Sequence, residues 1–237
     1  MGKVILSGVS KGMTIPIAFN PVFSKNSWET IIKVCQAKIV PDTWTVGSSK
    51  TMLINGETYE IDIIGKNHDT YSDGSGTAPL TFQMKNCYAE EKQMNSSDTS
   101  SGGWDSCTMR TTYLPDILSK MPSEVQNGIR QVDKIATIGT RSTTLKTSAD
   151  KLFLLSEIEI FGSVKHSYSG EGTQYDYYKA GNSRVKKRHN TALAIQWWGR
   201  SPYNANDISF CFVDGINATT NATAATVQYG ISFAFCF

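Results

Sequence analysis

Asn55-Gly56 stands between two alternating runs, Thr51-Met52-Leu53-Ile54 and Tyr59-Glu60-Ile61-Asp62-Ile63-Ile64. This spacing predicts a tight antiparallel hairpin, because both loop residues must take positive φ and Asn and Gly do so at least cost. Period two puts Ile61 and Ile63 on one face, and Glu60 and Asp62 on the other. Other strands are expected from Met13 to Phe19, where Pro16 suits an edge, from Pro79 to Cys87, and over Ala192–Trp198, Ile208–Val213 and Tyr229–Phe237. Leu152-Phe153-Leu154-Leu155 with Ile158-Glu159-Ile160-Phe161 reads as a buried strand and its continuation. Asn26 and Glu29 have capping-box spacing, and Trp28, Ile31, Ile32 and Cys35 then share one helical face. A short helix is expected over Tyr113–Lys120. A longer one starts at Pro122 and carries Val125, Ile129, Val132 and Ile135 at helical spacing. Residues 66–78, 93–106, 137–149 and 163–190 read as loops. Strands in runs with helices between them indicate an α+β fold rather than a parallel βαβ one.

Composition sets the outer bounds. The chain has 237 residues, 40% of them hydrophobic and 19% charged, which supports one substantial core and excludes a disordered chain. No apolar run reaches the roughly 18 residues a membrane-spanning helix needs. The first residues lack an apolar signal-peptide region. A formal charge of +2 neither demands nor forbids a nucleic-acid partner. Cys35, Cys87, Cys107, Cys211 and Cys236 are widely spaced and read as reduced, buried thiols.

Motifs for chemistry are sparse. His68, His166 and His189 have no nucleophile elbow near them, so no catalytic residue is assigned. Asp69-Thr70-Tyr71-Ser72-Asp73-Gly74 is a fragment of a calcium loop, but Leu80 stands where the distal glutamate belongs. Turn chemistry is the better account of Asp73-Gly74, and no metal ligand or cofactor site is assigned. Arg184-Val185-Lys186-Lys187-Arg188-His189 reads as a solvated basic face, so a nucleic-acid partner is not expected. Asn217-Ala218-Thr219 and Asn221-Ala222-Thr223 match the glycosylation acceptor pattern, read as coincidence in an Asn/Thr-rich segment.

The last segment differs from all of this. Residues 201–237 contain no Lys, Arg, Glu, Met or Trp. A buried β-rich end explains Ile231–Phe237 but not Tyr203–Thr226, which is small, polar and irregular. Tyr, Ser, Asn and Gly are residues of adaptable binding loops.

Trp197-Trp198-Gly199-Arg200-Ser201-Pro202, followed by this stretch and by Tyr229-Gly230-Ile231-Ser232-Phe233-Ala234-Phe235, resembles the end of C-type-lectin-like variable proteins diversified by retroelements. It is also similar to a domain of unnamed function in tail-fibre proteins of gut phages and prophages. The resemblance extends upstream through Thr51–Gly56, Ile61–Asp69, Ala78–Gln83, Met94–Ser97, Met109-Arg110 and Lys151–Gly162, covering roughly residues 40–237. It implies an α+β, C-type-lectin-like domain over 41–237, with short antiparallel strands, two or three helices and a variable region over about 197–237. Residues 1–40 become an attachment or oligomerisation segment. In such proteins adenines of Asn codons are randomised, which yields Tyr, Ser, Thr, Ile, Asp, Ala, Val, Phe or Gly but never Lys, Glu, Met, Gln or Trp. Gln228 departs from this pattern, and Ser232-Phe233-Ala234 replaces the usual Arg-Pro-Ala-like triplet.

The ligand-facing residues expected on this reading are Tyr203, Asn204, Asn206, Asp207, Ser209, Phe212, Asp214, Asn217, Thr219, Thr220, Asn221, Thr223 and Tyr229. Exposed Tyr203 and Phe212 are the expected hot spots. Trp197, Trp198, Arg200, Cys211 and Val213 are scaffold, with Arg200 anchoring the loop. The implied protein is a non-enzymatic phage or prophage receptor-binding or tail-fibre protein, on a virion or a bacterial surface. Its partners are a bacterial surface protein or glycan, other tail proteins and two further copies in a homotrimer. The competing readings are an oxidase of the formylglycine-generating type, which shares the architecture but needs a cysteine pair, and a structural virion or adhesin component without its own ligand.

Overall fold

The computed structural model describes residues 4–10 and 13–237, with side chains from Pro16 onward. Strands β1 (Val4–Ser10) and β2 (Met13–Phe19) form an antiparallel hairpin. Helix α1 (Trp28–Gln36) follows, and its N-cap is Ser27, which accepts the Thr30 N–H at 3.1 Å. Asn26, expected in that role, is buried and closes the preceding turn instead. Its amide accepts from the Asn20 N–H and donates to the carbonyls of Asn20, Val22 and Phe23. A buried Asn with four partners is worth more here than as a solvent-exposed cap. Phe23 and Trp28 pack on Phe82, with ring centroids 6.1 and 5.8 Å apart, and Trp28 also meets Phe235 and Phe237. The helix therefore shares one core with the residues beyond position 40.

Strands β3 (Ser49–Ile54) and β4 (Glu57–Lys66) pair about a turn in which Asn55 has φ 50° and Gly56 φ 82°. Ile61 and Ile63 are buried as expected, but so is Asp62. Ser49 and the Tyr177 hydroxyl donate to its carboxylate, which offsets its burial. Strand β5 (Leu80–Met84) is followed by the short helices α2 (Gly103–Ser106), α3 (Leu114–Ser119) and α4 (Ser123–Gly128). The helix expected through Ile135 stops at Gly128. A Cβ there would stand 2.6 Å from Ile32 Cδ1, so a glycine is what lets α4 approach α1. Beyond it, Val132, Lys134 and Ala136 are buried alternately on strand β6 (Val132–Thr137), which pairs with β7 (Leu145–Asp150) in a stretch read as loop. Period two prevails over the helical spacing because Lys134 must reach buried carboxylates.

After β8 (Leu152–Phe153), the expected strand continuation is helix α5 (Glu157–Phe161). Ser156 and Glu159 complete a reciprocal capping box, and that local pair overrides the Ile158/Ile160 alternation. The 163–190 stretch is packed rather than loose: it holds helix α6 (Asp176–Lys179), strand β9 (Lys186–Lys187) and buried Ser167, Glu171, Tyr175 and Tyr178. Strands β10 (Ala194–Ile195), β11 (Trp197–Pro202), β12 (Ser209–Val213), β13 (Thr220–Ala224) and β14 (Ala234–Cys236) complete the chain. The result is a mixed α/β fold with several short antiparallel sheets. A five-stranded sheet has the order β3-β4-β5-β14-β8, and a three-stranded one β11-β12-β13. All five cysteines are free and buried. Among the described residues no helix is long and apolar enough to cross a membrane.

Candidate ligand-binding face

The three-stranded sheet carries most of the suspected face. Directly opposed residues of antiparallel strands share a face. Trp198 opposes Phe212, which opposes Asn221, and Phe210 opposes Thr223. Trp197 opposes Val213, which opposes Thr220, and Cys211 opposes Ala222. The sheet thus has an outer face built on Trp198, Phe210 and Phe212 and an inner face built on Trp197, Cys211 and Val213.

The inner face is held by charge. Arg200 is 0% exposed. Its guanidinium donates to both carboxylate oxygens of Glu159 and to the carbonyls of Ile135, Leu154 and Glu171. Lys134 contacts Glu159 at 3.0 Å and also pairs with Asp69, which the Tyr175 hydroxyl approaches at 2.9 Å. Burial alone would raise the Glu159 carboxyl, but Arg200 and Lys134 hold it below its ordinary value. For Asp69, too, burial acts upward; Lys134 and Thr81 outweigh it and leave the carboxyl at about 2.

A further buried acid, Glu157, ties the sheet to a loop. It accepts the backbone N–H groups of Lys165, His166 and Ser167 and the Ser167 hydroxyl. The Thr220 hydroxyl donates to its other oxygen at 2.7 Å. Further ties come from outside the segment. Arg141 makes a bidentate pair with Asp207 at 2.8 and 3.2 Å, and Asp98 accepts from the Thr226 hydroxyl and N–H. Trp198 Nε1–H donates to the Lys92 carbonyl and Trp197 Nε1–H to that of Arg184.

These ties sort the suspected ligand-facing residues. Ser209 and Phe212 are buried, against the expectation of exposure. Phe212, 7% exposed, lies 4.8 Å from the Tyr229 ring and edge-on to Trp198 at 6.4 Å. Its neighbours on the flanking strands cover it, a consequence of its place on the central strand. Asn204 and Asp207 are half-buried and anchor to Ser167 and Arg141. Asp214 accepts from the N–H groups of Ile216 and Asn217, closing the β12–β13 turn. Thr220 reaches Glu157. Asn206 accepts the Ile208 N–H. Tyr203, beside the His166 ring at 5.7 Å, and Asn217, Thr219, Asn221, Thr223 and Tyr229 reach solvent. Trp197, Trp198, Arg200, Cys211 and Val213 are all buried. Sequence reading missed exposed Ile216 and Ile208, 78% and 42% accessible, and the whole carboxylate set beneath the sheet. The Ser156-x-x-Glu159 cap signal was there to find α5 and its acids.

The remaining chemical candidates are absorbed by the fold. Both Asp69 oxygens have protein donors, and Asp73 pairs with Arg130. The basic run is split: Lys186 is buried, Arg184 lies over Phe161, and Arg188 pairs with Glu91. His68 stacks on Tyr175 at 3.9 Å and His189 on Tyr59 at 4.1 Å. Burial pushes the Cys211 and Cys236 thiols well up, leaving them unreactive.

A family model described as a domain of unknown function (DUF6273) matches residues 80–237, the greater part of the chain. No curated protein and no solved structure matches.

Proposed function

We propose a function for this chain, which belongs to the family described as a domain of unknown function (DUF6273): it is a non-enzymatic receptor-binding protein of a phage or prophage tail fibre. Its C-type-lectin-like domain displays a diversified ligand face toward a bacterial surface. One observation carries this reading. The 201–237 segment lacks Lys, Arg and Glu, and charged groups outside it tie it down: Glu157 accepts from the Thr220 hydroxyl, Arg141 pairs with Asp207, Asp98 accepts from the Thr226 N–H and hydroxyl, and Glu159 holds Arg200 immediately before it, while within the segment Asp214 closes only its own turn. Exposed positions on so clamped a backbone tolerate change, which is what a diversified face requires. Arrayed copies, as in a trimer, make weak single sites effective together.

Alanine at Tyr203, Asn217, Thr219 or Thr223 tests it. Surface changes of this kind cost within about 0.5 kcal/mol, so Tm moves by no more than about 2 °C. Adsorption of the protein to its bacterial cells falls, most at Tyr203, by about tenfold or more for an aromatic hot spot. Parental adsorption by all four variants would sink the proposal.

A further inference from the structure

The register of the β12–β13 pair assigns a direction to every backbone group of β13. Ala225 N–H donates to the Ile208 carbonyl and Asp214 N–H to the Thr219 carbonyl. Hydrogen-bonded pairs in an antiparallel ladder recur every second residue. Asn221 and Thr223 therefore bond inward to Phe212 and Phe210. The N–H and C=O groups of Thr220, Ala222 and Ala224 point away from the sheet. Two of these outward groups are engaged, each locally: Ala222 N–H by its neighbour's Asn221 Oδ1 at 2.8 Å, and the Ala224 carbonyl by Val227 N–H. Among the described residues the others have no partner.

Such an edge is a template for another strand, and proteins blunt it with charge, proline or a cover. Three other edges are blunted. The Thr51 carbonyl of β3 receives Trp28 Nε1–H, and Lys50 stands beside it. Strand β7 carries Lys146 and Asp150, and its Ala149 carbonyl receives Arg110 and Gln131. Strand β11 sends Trp198 N–H to Gly230 and Arg200 N–H to Leu155. Strand β13, Thr-Asn-Ala-Thr-Ala, has no charge, no proline and only small side chains. Exposed Ile216 stands in the turn before it and exposed Ile208 opposite its far end, so both ends offer an aliphatic contact.

We infer that the outward edge of β13 recruits an extended polypeptide segment of the target, which adds as a fourth strand to the sheet. This rests on the receptor-binding reading and narrows it to a protein target. Main-chain donors and acceptors spaced two residues apart, about 6.8 Å, match a strand. Aliphatic anchors at both ends suit side chains of a polypeptide better than a sugar's hydroxyls.

The test uses a short peptide of alternating threonine and valine with terminal lysines, titrated into the isotope-labelled protein. Amide signals of Thr220, Ala222 and Ala224 shift, and those of Asn221 and Thr223 shift less. The same peptide N-methylated at alternate amides leaves them unmoved. Ala222→Pro removes only one outward donor and weakens peptide binding several-fold, up to about tenfold, as loss of one net hydrogen bond predicts. Asn221→Ala frees the Ala222 N–H and strengthens binding a few-fold, whereas a side-chain contact would weaken. Equal binding of the N-methylated peptide, weakening by Asn221→Ala, or a dimer of the free protein that Ala222→Pro dissolves would each overturn the inference. If Ala222→Pro unfolds the chain, the N-methylated peptide still decides. Cells that bind Ala222→Pro at the parental level but lose the Tyr203 variant would sink the strand and leave the receptor reading standing.

Discussion

The two sides of the β11-β12-β13 sheet are supported in different ways. Beneath it, Arg200, Lys134, Glu159, Asp69 and Glu157 are buried and bonded to several partners each. Above it, the covering residues are Tyr229, Asn221 and Thr223, held by ring contact and short polar bonds. Buried charge pairs are strongly directional, so the inner side fixes one backbone. The outer side adds contacts without dictating them. Position-specific chemistry lies in residues 69–171 and Arg200, and the proposed function places its freedom to vary in the exposed positions between 203 and 229.

Breaking the inner side has the largest expected effect. Arg200→Met leaves Glu159 buried without its guanidinium, and removing one partner of such a pair costs about 3–5 kcal/mol. Denaturant unfolding of Arg200→Met is to be set against Arg200→Lys. The lysine keeps charge but loses the fork that spans Glu159 and three carbonyls, so it recovers stability only in part. Stability equal to the parent's in Arg200→Met would mean the outer contacts suffice to hold the sheet.

Glu157→Ala comes next. It orphans three backbone N–H groups at 165–167 and the Thr220 hydroxyl, at a cost of about 3 kcal/mol if local opening lets water reach some of them. Hydrogen exchange sharpens the comparison. Amides of Lys165, His166 and Ser167 lose protection, and so does the start of β13, while β3–β4 is unchanged. Uniform loss of protection would show that Glu157 supports the whole molecule rather than this face.

What was legible in the sequence was local. The Asn55-Gly56 turn carries its own reason, and so does the buried stripe of α1. Helix α5 was equally local, yet the Ile158/Ile160 alternation hid its capping box. Strands β6 and β7 were illegible because their cause is remote: Lys134 faces inward only because Asp69 and Glu159 arrive from elsewhere in the chain. Phe212 lies on the face opposite Cys211 and Val213. Its burial depends on Tyr229 and Trp198, which no spacing along the chain brings into view.

Lys186 sharpens the contrast from the opposite direction, since it is a buried cation that pairs with no carboxylate among the described residues. It donates to the Met84 and Lys85 carbonyls at 2.6 and 3.1 Å and lies 5.2 Å from the Trp197 ring, linking β5 to the edge of the outer sheet. Burial lowers it to about 8. The unfolded lysine keeps its proton to about pH 10.4. Between these values the unfolded chain binds more protons, so this residue makes stability rise with pH. The rise is about 2 kcal/mol between pH 8 and 10, allowing for relaxation around the neutral amine. Lys186→Met lacks that slope. Tm of parent and variant at pH 7.5, 8.5 and 9.5 measures it, and other titrating groups cancel in the difference. Parallel curves would mean Lys186 stays charged, with the two carbonyls and the Trp197 ring holding it as firmly as Glu159 holds Arg200.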